Sequence, residues 1–387
     1  MEVYHNIWWN SDKTQLDKHS QLISQSVINL GLFQHEDERL LKNHVGEVNS
    51  LLNNPKTRER GLRLLGDLVP QCARQVLTEQ CERWFKFCCD AVGAGRKTRN
   101  LSPACQVLTA LLKDLPSLPE LQRCVASKLS AALALDLSAA DPVRCPATLE
   151  CLYECLRAAP AQCLQHKKIL EERMLHHLDD PIGVPGLGGV TQRAGGVFAA
   201  VPLPGVGGGK VGQSRAEARG RQLSQLLALA HSLMDTLLDG VVEKESHPHP
   251  REHPALHLRP LQTLTQDPVS TRLALTARLH NTLTFVAQMI SDPANPAITI
   301  TPDHLLSVPF RLLQVEAAVL GSYKSQEHQL LAFLLPSLHH QAMLLLRHAI
   351  TRRADRSREK ERRHPIQAAT ELLGWCFFTD IKSASLE

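Results

Sequence analysis

The chain has 387 residues, 43% of them hydrophobic but only 4% aromatic, and a formal net charge of +4. Length and apolar content allow a sizeable core, in two or three compact domains or one continuous array. So few aromatics argue against β-sandwiches, where aromatic and β-branched residues are favoured. The mild basicity argues against a dedicated nucleic-acid binder, so any RNA contact would be local.

The 11 cysteines are scattered and odd in number, and the opening residues MEVYHNIWWNSDK hold no apolar signal core. Leucine-rich runs such as LLAFLLPSLHHQAMLLL are broken by Pro, Arg or His before membrane-spanning length. These features predict an intracellular chain with reduced thiols and no membrane contact.

In chain order, a first helical-repeat block is expected over residues 1–180, its periodicity running from about Leu16 to His177. Within LLNNPKTRERGLRLLGDLV (51–69), the basic turn Lys56-Thr57-Arg58 leads into a helix with Leu62, Leu65 and Val69 at helical spacing. Gly61 falls in its first turn, where a side chain would normally pack. A later helix carries Cys105, Leu108, Leu111, Leu112 and Leu115 and is closed by Pro116. The next carries Val125, Leu129, Ala132 and Leu133 before Asp141-Pro142, and a third carries Leu152, Cys155, Leu156 and Ala159 before Pro160. Short turns between such helices predict antiparallel neighbours. Pairs that cannot bury their own apolar faces must stack, which predicts an all-α, armadillo/HEAT-like α-solenoid.

Residues 181–213 hold 11 of the 21 glycines and several prolines, and are expected to form a disordered, flexible loop that cannot hold a helix. A second helical-repeat block is expected over 214–350. Its first helix has Leu223, Leu226, Leu227, Ala230, Leu233, Leu237 and Leu238 on one face and stops at Gly240. A His/Pro loop near 245–260 follows, then helices near 266–291 and 326–350, with a shorter one after Thr301-Pro302-Asp303. The last segment, 351–387, is basic and divergent.

No local motif suggests a catalytic set. PGVGGGKVG (204–212) approximates a phosphate loop, but Pro204 replaces the first glycine and Val211 the Mg²⁺-binding hydroxyl. Cys151 and Cys155 share a helix face, and Cys145 and Cys163 would complete a zinc set only if three segments converged; core thiols are the plainer reading. Adjacent Cys88 and Cys89 read as one core residue and its neighbour. His247, His249, His253 and His257 lie in a Pro-rich stretch without a rigid scaffold, which favours a solvated loop over a metal site.

The run Arg352, Arg353, Arg356, Arg358, Lys360, Arg362 and Arg363 fits a nuclear localisation signal, a phosphate contact on RNA, or a solvated helix partly offset by Glu359 and Glu361. Three LxxLL matches, at 108–112, 223–227 and 331–335, could dock in a partner's groove. Each lies on the apolar face of an expected long helix, so their leucines are expected in the core.

Three segments resemble the amino-terminal helical-repeat domain of the Rix-type pre-rRNA-processing family. Lys56, Arg58, Gly61, Leu62 and Leu65 resemble its opening pattern. In the same first segment, Val48–Val92, Gln80-Cys81-Glu82-Arg83-Trp84 is similar to its second helix, where a cysteine and a tryptophan lie three apart. RQLSQLLALAHSLMDTLLDG (221–240) resembles a leucine-rich family helix, and LLPSLHHQAMLLL (334–346) resembles a Leu-Pro-Ser helix start. Order and spacing agree over about 48–350.

The resemblance implies a non-catalytic scaffold of a nuclear complex, in the nucleolus and nucleoplasm, that serves large (60S) subunit biogenesis and internal-spacer processing of pre-rRNA. The implied partners are a WD-repeat propeller subunit, a second helical-repeat subunit, a midasin-type AAA ATPase and the pre-60S particle. Self-association as a homodimer is also implied, with no cofactor and no metal, and direct RNA contact is left open. The metazoan branch also lends some support to an alternative reading as an LxxLL-bearing nuclear-receptor coregulator; a generic helical-repeat adaptor is the third. The family's long proline-rich, acidic tail has no counterpart after Ile350. The resemblance thus implies a fragment or a divergent short form, with 181–213 as an insertion.

Overall fold

The structure, a computed structural model, describes residues 38–93, 99–128, 146–184, 187–201, 215–241, 256, 258, 267–292 and 301–363. Among these residues the regular elements are helices, and no strand is formed. The all-α class expected from the periodicity is therefore met. The chain divides into two compact units, residues 1–173 with 200–202, and residues 174–199 with 203–387.

The first unit opens with α1 (Glu38–Asn53) and α2 (Arg58–Leu68), joined by a four-residue turn. It continues with α3 (Arg74–Gly93), α4 (Leu101–Lys113), α5 (Pro119–Lys128), α6 (Pro146–Ala158), the single turn α7 (Pro160–Cys163) and most of α8 (Lys167–Leu175). Three of these helices begin on proline, whose missing N–H costs nothing at the first helical position. The core is aliphatic and thiol-rich. Leu52, Leu62, Leu65, Trp84, Phe85, Cys88, Cys105, Leu108, Leu111, Cys151, Leu152 and Cys155 are all fully buried. Trp84 brings a polar handle inward: its indole N–H donates to Asn49 Oδ1 at 3.0 Å, and Asn49 Nδ2 donates to Gln80 Oε1 at 3.2 Å. The start of α3 meets the turn before α5, where the Arg74 guanidinium donates to the Ser117 carbonyl at 2.7 Å.

The second unit contains α9 (Leu187–Ala200), α10 (Arg215–Leu237), α11 (Pro268–Ser291), α12 (Pro302–Leu313), the short α13 (Ala317–Ser322) and the long α14 (Gln326–Arg363). Helix α11 is well initiated. Pro268 follows the N-cap Asp267, whose carboxylate accepts from the backbone N–H groups of Val269 and Ser270 at 3.1 Å each. Gly240, at φ +79°, follows the end of α10, a conformation that favours glycine.

Cross-helix bonds fix the directions in this unit. His231 pairs with Ser307 at 2.9 Å, and one turn further on Asp235 pairs with Arg311 at 2.8 Å, so α10 and α12 run parallel. Arg272 pairs with Glu327 at 3.1 Å and Ser291 with His348 at 2.7 Å, so α11 and α14 also run parallel. Arg272 additionally donates to the Thr236 carbonyl at 2.9 Å, tying the end of α10 to the start of α11.

The turn at 176–179 is clasped onto α11. Arg278 grips both Asp179 oxygens at 2.6 and 2.9 Å, and Asn281 Nδ2 donates to the carbonyls of Leu178 and Asp180 at 3.1 and 2.8 Å.

The fold departs from the sequence reading in four places. The glycine-rich segment 181–213 is not wholly a loop, because residues 187–200 form α9. Val190, Ala194, Val197 and Phe198 are buried on one face, and the Phe198 ring lies 5.7 Å from that of Phe285. Gly195 makes this approach feasible, since a Cβ there would meet Phe285 and Gln288 at 3.2 Å. Next, α14 runs without a break through the expected boundary at 350/351 to Arg363. Pro336 is well inside α14 rather than at a helix start. Finally, residues 326–352 are long and apolar enough to cross a membrane by length and composition alone. In the fold that stretch is one side of a packed helix, with Leu331, Leu335, Leu338, Ala342, Leu345 and Ala349 buried.

Candidate interaction surfaces

The residues of the opening motif shape the α1–α2 hairpin. Carbonyls at the end of α1 have no partners within the helix. Thr57 Oγ1 donates to the Leu51 carbonyl and Arg58 Nε to the Leu52 carbonyl, each at 3.0 Å. The exposed Lys56 donates its backbone N–H to Asn54 Oδ1 at 3.0 Å, which closes the turn. Gly61 faces the end of α1, where an added Cβ would stand 3.0 Å from Leu51 Cβ and from the Leu52 nitrogen. Leu62, Leu65 and Trp84 are fully buried, and Trp84 is tied to α1 through Asn49. Gly61 and Arg58 thus shape the hairpin turn, while Leu62, Leu65 and Trp84 are core residues.

None of the nine described cysteines is in a disulfide, and seven of them are buried. The Cys151 thiol hydrogen-bonds with Cys105 and Cys155; these bonds and burial push its ionisation well above the ordinary range. Burial likewise pushes the Cys72 thiol up to about 12 and the Cys163 thiol up to about 11. A thiol nucleophile acts as the thiolate, the form that burial disfavours at these positions. Among the described residues no three His, Cys, Asp or Glu side chains are arranged to hold a metal ion. Cys145, the phosphate-loop-like stretch 204–212 and His247, His249, His253 and His257 lie outside the described residues.

The LxxLL leucines are in the core. Leu108, Leu111, Leu112, Leu223, Leu226 and Leu227 are buried; in the third motif Leu331 and Leu335 are buried and Leu334 is half-buried. A partner could reach the first two motifs only by unfolding their helices.

Two Ser–His contacts, Ser291–His348 and His231–Ser307, escape any local motif because the partners are 57 and 76 residues apart. They join helices. The Ser291 hydroxyl donates back to the Ala287 carbonyl at 2.7 Å, as helical serines commonly do.

Two surfaces remain. An open groove of about 440 Å³ in the first unit is lined by Pro70, Gln106, Thr109 and Ala147 and crossed by the Lys113–Glu150 bridge at 2.8 Å. In the second unit, α14 presents Phe333, Met343 and Ile350 to solvent. Its last turns hold Arg352, Arg353, Arg356, Arg358, Lys360, Arg362 and Arg363 on continuous helical backbone.

Among the described residues the fold is helical, with the leucine-rich motifs largely buried. Residues 6–181 match the RIX1 family, described as rRNA processing/ribosome biogenesis. The matched region includes the α1–α2 hairpin and Trp84, and the match supports the Rix-type resemblance. The chain is also similar to the mouse "Proline-, glutamic acid- and leucine-rich protein 1", with 25% identity over 299 residues. The match covers 77% of this chain and 26% of the mouse protein. The family match begins upstream of the motif at residue 48 and stops at 181, while the pairwise similarity carries the likeness further along the chain.

Proposed function

We propose that this chain is a non-catalytic scaffold in large (60S) ribosomal subunit biogenesis, acting in a nuclear and nucleolar complex that supports internal-spacer processing of pre-rRNA. The observation that carries this reading is the RIX1 match over residues 6–181. The partners fitting this role are a WD-repeat propeller subunit, a second helical-repeat subunit, a midasin-type AAA ATPase and the pre-60S particle, with a homodimeric core. Direct RNA contact would fall to the basic end of α14.

The scaffold has a HEAT-like α-solenoid arrangement in this reading. Support comes from the second unit, where α10 runs parallel to α12 and α11 parallel to α14. Two layers of parallel helices are what stacked helical pairs produce. Such a stack offers extended faces on which several partners dock at once. The coregulator reading ranks second, since the leucines it needs are largely buried.

Affinity purification of the tagged chain with mass spectrometry, combined with gradient sedimentation, tests the proposal. The chain should co-migrate with pre-60S particles and bring down a propeller subunit. Depletion should lead to accumulation of spacer-containing precursor RNA. Free sedimentation, with no pre-ribosomal protein recovered, would overturn the assignment.

A further inference from the structure

Helix α14 is apolar on two opposite sides. One side, Leu331, Leu335, Leu338, Ala342, Leu345 and Ala349, is buried in the second unit. The other follows the same alternation of three- and four-residue steps: Phe333, Pro336, His340, Met343, Arg347 and Ile350, all exposed. Phe333 is 81% exposed, and Met343 and Ile350 are each 56% exposed. A helix that carries apolar residues on opposite sides is ordinarily covered on both, yet only 28% of the apolar stretch of α14 is buried.

We propose that this exposed stripe is a docking face for an acidic amphipathic helix of a partner protein. The three-four spacing is that of a helix–helix seam, in which each exposed side chain seats between residues of a facing helix. Charge selects which helix. No Asp or Glu occurs between Glu327 and Asp355, and Glu327 is already paired with Arg272. Arg347 lies within the stripe between Met343 and Ile350, with His340 two turns before it and Arg352 just beyond. Covering Arg347 without a carboxylate would strand a charge away from water, which is costly. A facing helix with leucines along its seam and glutamates at its edges would fill the stripe and neutralise this cation.

Other occupants fit less well. A lipid surface takes helices whose cations rim the apolar face and snorkel outward, whereas Arg347 is within the stripe. A second copy of the stripe would bring no carboxylate to Arg347. Nucleic acid offers phosphate to the arginine but leaves Phe333, Met343 and Ile350 without apolar partners. The face offers this seam whether or not the chain has the ribosomal role.

The test uses the full chain and fluorescein-labelled peptides of about three heptads, with leucine on the seam and glutamate flanking it. Controls are the same peptide with lysine flanks, a scrambled glutamate peptide, and vesicles of phosphatidylcholine with and without phosphatidylserine. Fluorescence anisotropy should show the glutamate peptide binding about 10-fold or more tightly than either control peptide, with binding weakened by salt. Combining Phe333→Ser, Met343→Ser and Ile350→Ser should abolish binding without lowering the melting temperature, because all three side chains already face water. Arg347→Glu should reverse the preference toward the lysine peptide. Equal binding of the scrambled peptide, no change of preference in Arg347→Glu, binding to vesicles but not to peptide, or a stripe-dependent dimer that ignores the peptide would each overturn the proposal.

Discussion

Gly61 stands against the last turn of the preceding helix so closely that a Cβ there would lie 3.0 Å from the backbone nitrogen of Leu52. That contact is to backbone, which cannot rotate away. Gly46, in α1, has nothing within 4 Å of its added Cβ. The pair gives an internal control, since both substitutions to Ala gain about 0.5–1 kcal/mol of helix propensity. Gly46→Ala should raise the midpoint of urea denaturation, and Gly61→Ala should lower it, with Gly61→Leu worse still. A Gly61→Ala midpoint at or above the parent's would mean that α1 and α2 separate without cost.

The leucines of the first two LxxLL matches should behave as core residues. Leu111→Ala and Leu226→Ala should each cost about 2–5 kcal/mol in denaturant titrations. Phe333→Ala, at an exposed position, should fall within about ±0.5 kcal/mol of the parent. Selective loss of a receptor partner at unchanged stability would put the coregulator reading ahead of the scaffold reading.

Helix α9 should be needed by the second unit. Phe198 is 1% exposed and packs on Phe285, so Phe198→Ala should cost about 3–5 kcal/mol. Replacing residues 187–200 by a Gly/Ser linker should lower the melting temperature by several degrees. A melt unchanged by that replacement would show that α9 is dispensable to the unit.

Acid should loosen the second unit. Burial, ahead of all other causes, pushes the imidazoles of His280 and His348 below their ordinary value of 6.5. The folded chain therefore prefers both neutral, while the unfolded chain takes up protons at about 6.5. Their contribution is fully present above that pH and is lost as pH falls through it toward the lower folded values. Melting temperature should decline below about pH 6.5, and less steeply in His280→Gln, His348→Gln protein. Parallel pH profiles for parent and variant would assign the acid sensitivity to other groups.

Arg352, Arg353, Arg362 and Arg363 lie along the last turns of α14. Changing all four to Gln should weaken nuclear accumulation of a fluorescent fusion and leave the thermal melt unchanged. A foreign nuclear signal should then restore co-sedimentation with pre-60S particles. Failure of that rescue would make the basic run a contact surface on RNA or a partner.

Much of this architecture could be read in the residues. Leu108, Leu111 and Leu112 announce a buried face by spacing alone, and Gly61 announces a close approach. Helix α9 was also legible, in Val190, Ala194, Val197 and Phe198 at helical steps, but glycine content obscured it. Glycine weakens a helix by backbone entropy, and that penalty is overridden where a bulky neighbour such as Phe285 requires a missing side chain. The function of Arg58 as a cap on Leu52 could not be read, because it depends on the angle at which two helices meet. Nor could the Ser291–His348 contact, which depends on helices far apart in the chain running in one direction. The exposed stripe of α14 was hidden for a different reason: leucine, phenylalanine and methionine look alike to a periodicity test whether they point inward or outward.

The clasp between Arg278 and Asp179 joins positions 99 residues apart, and Asn281 reaches Leu178 across 103. On a translating ribosome the earlier half of that clasp emerges well before its counterpart. At about 5–20 residues per second the interval is roughly 5–20 s. For most of it Phe198 has no Phe285 to cover it, so the nascent chain carries an adhesive segment that holdase chaperones are suited to shield. The second unit is thus a late folder by topology, and its yield will respond to elongation rate and chaperone supply more strongly than that of the first, whose α1–α2 hairpin closes within a few residues of its own synthesis.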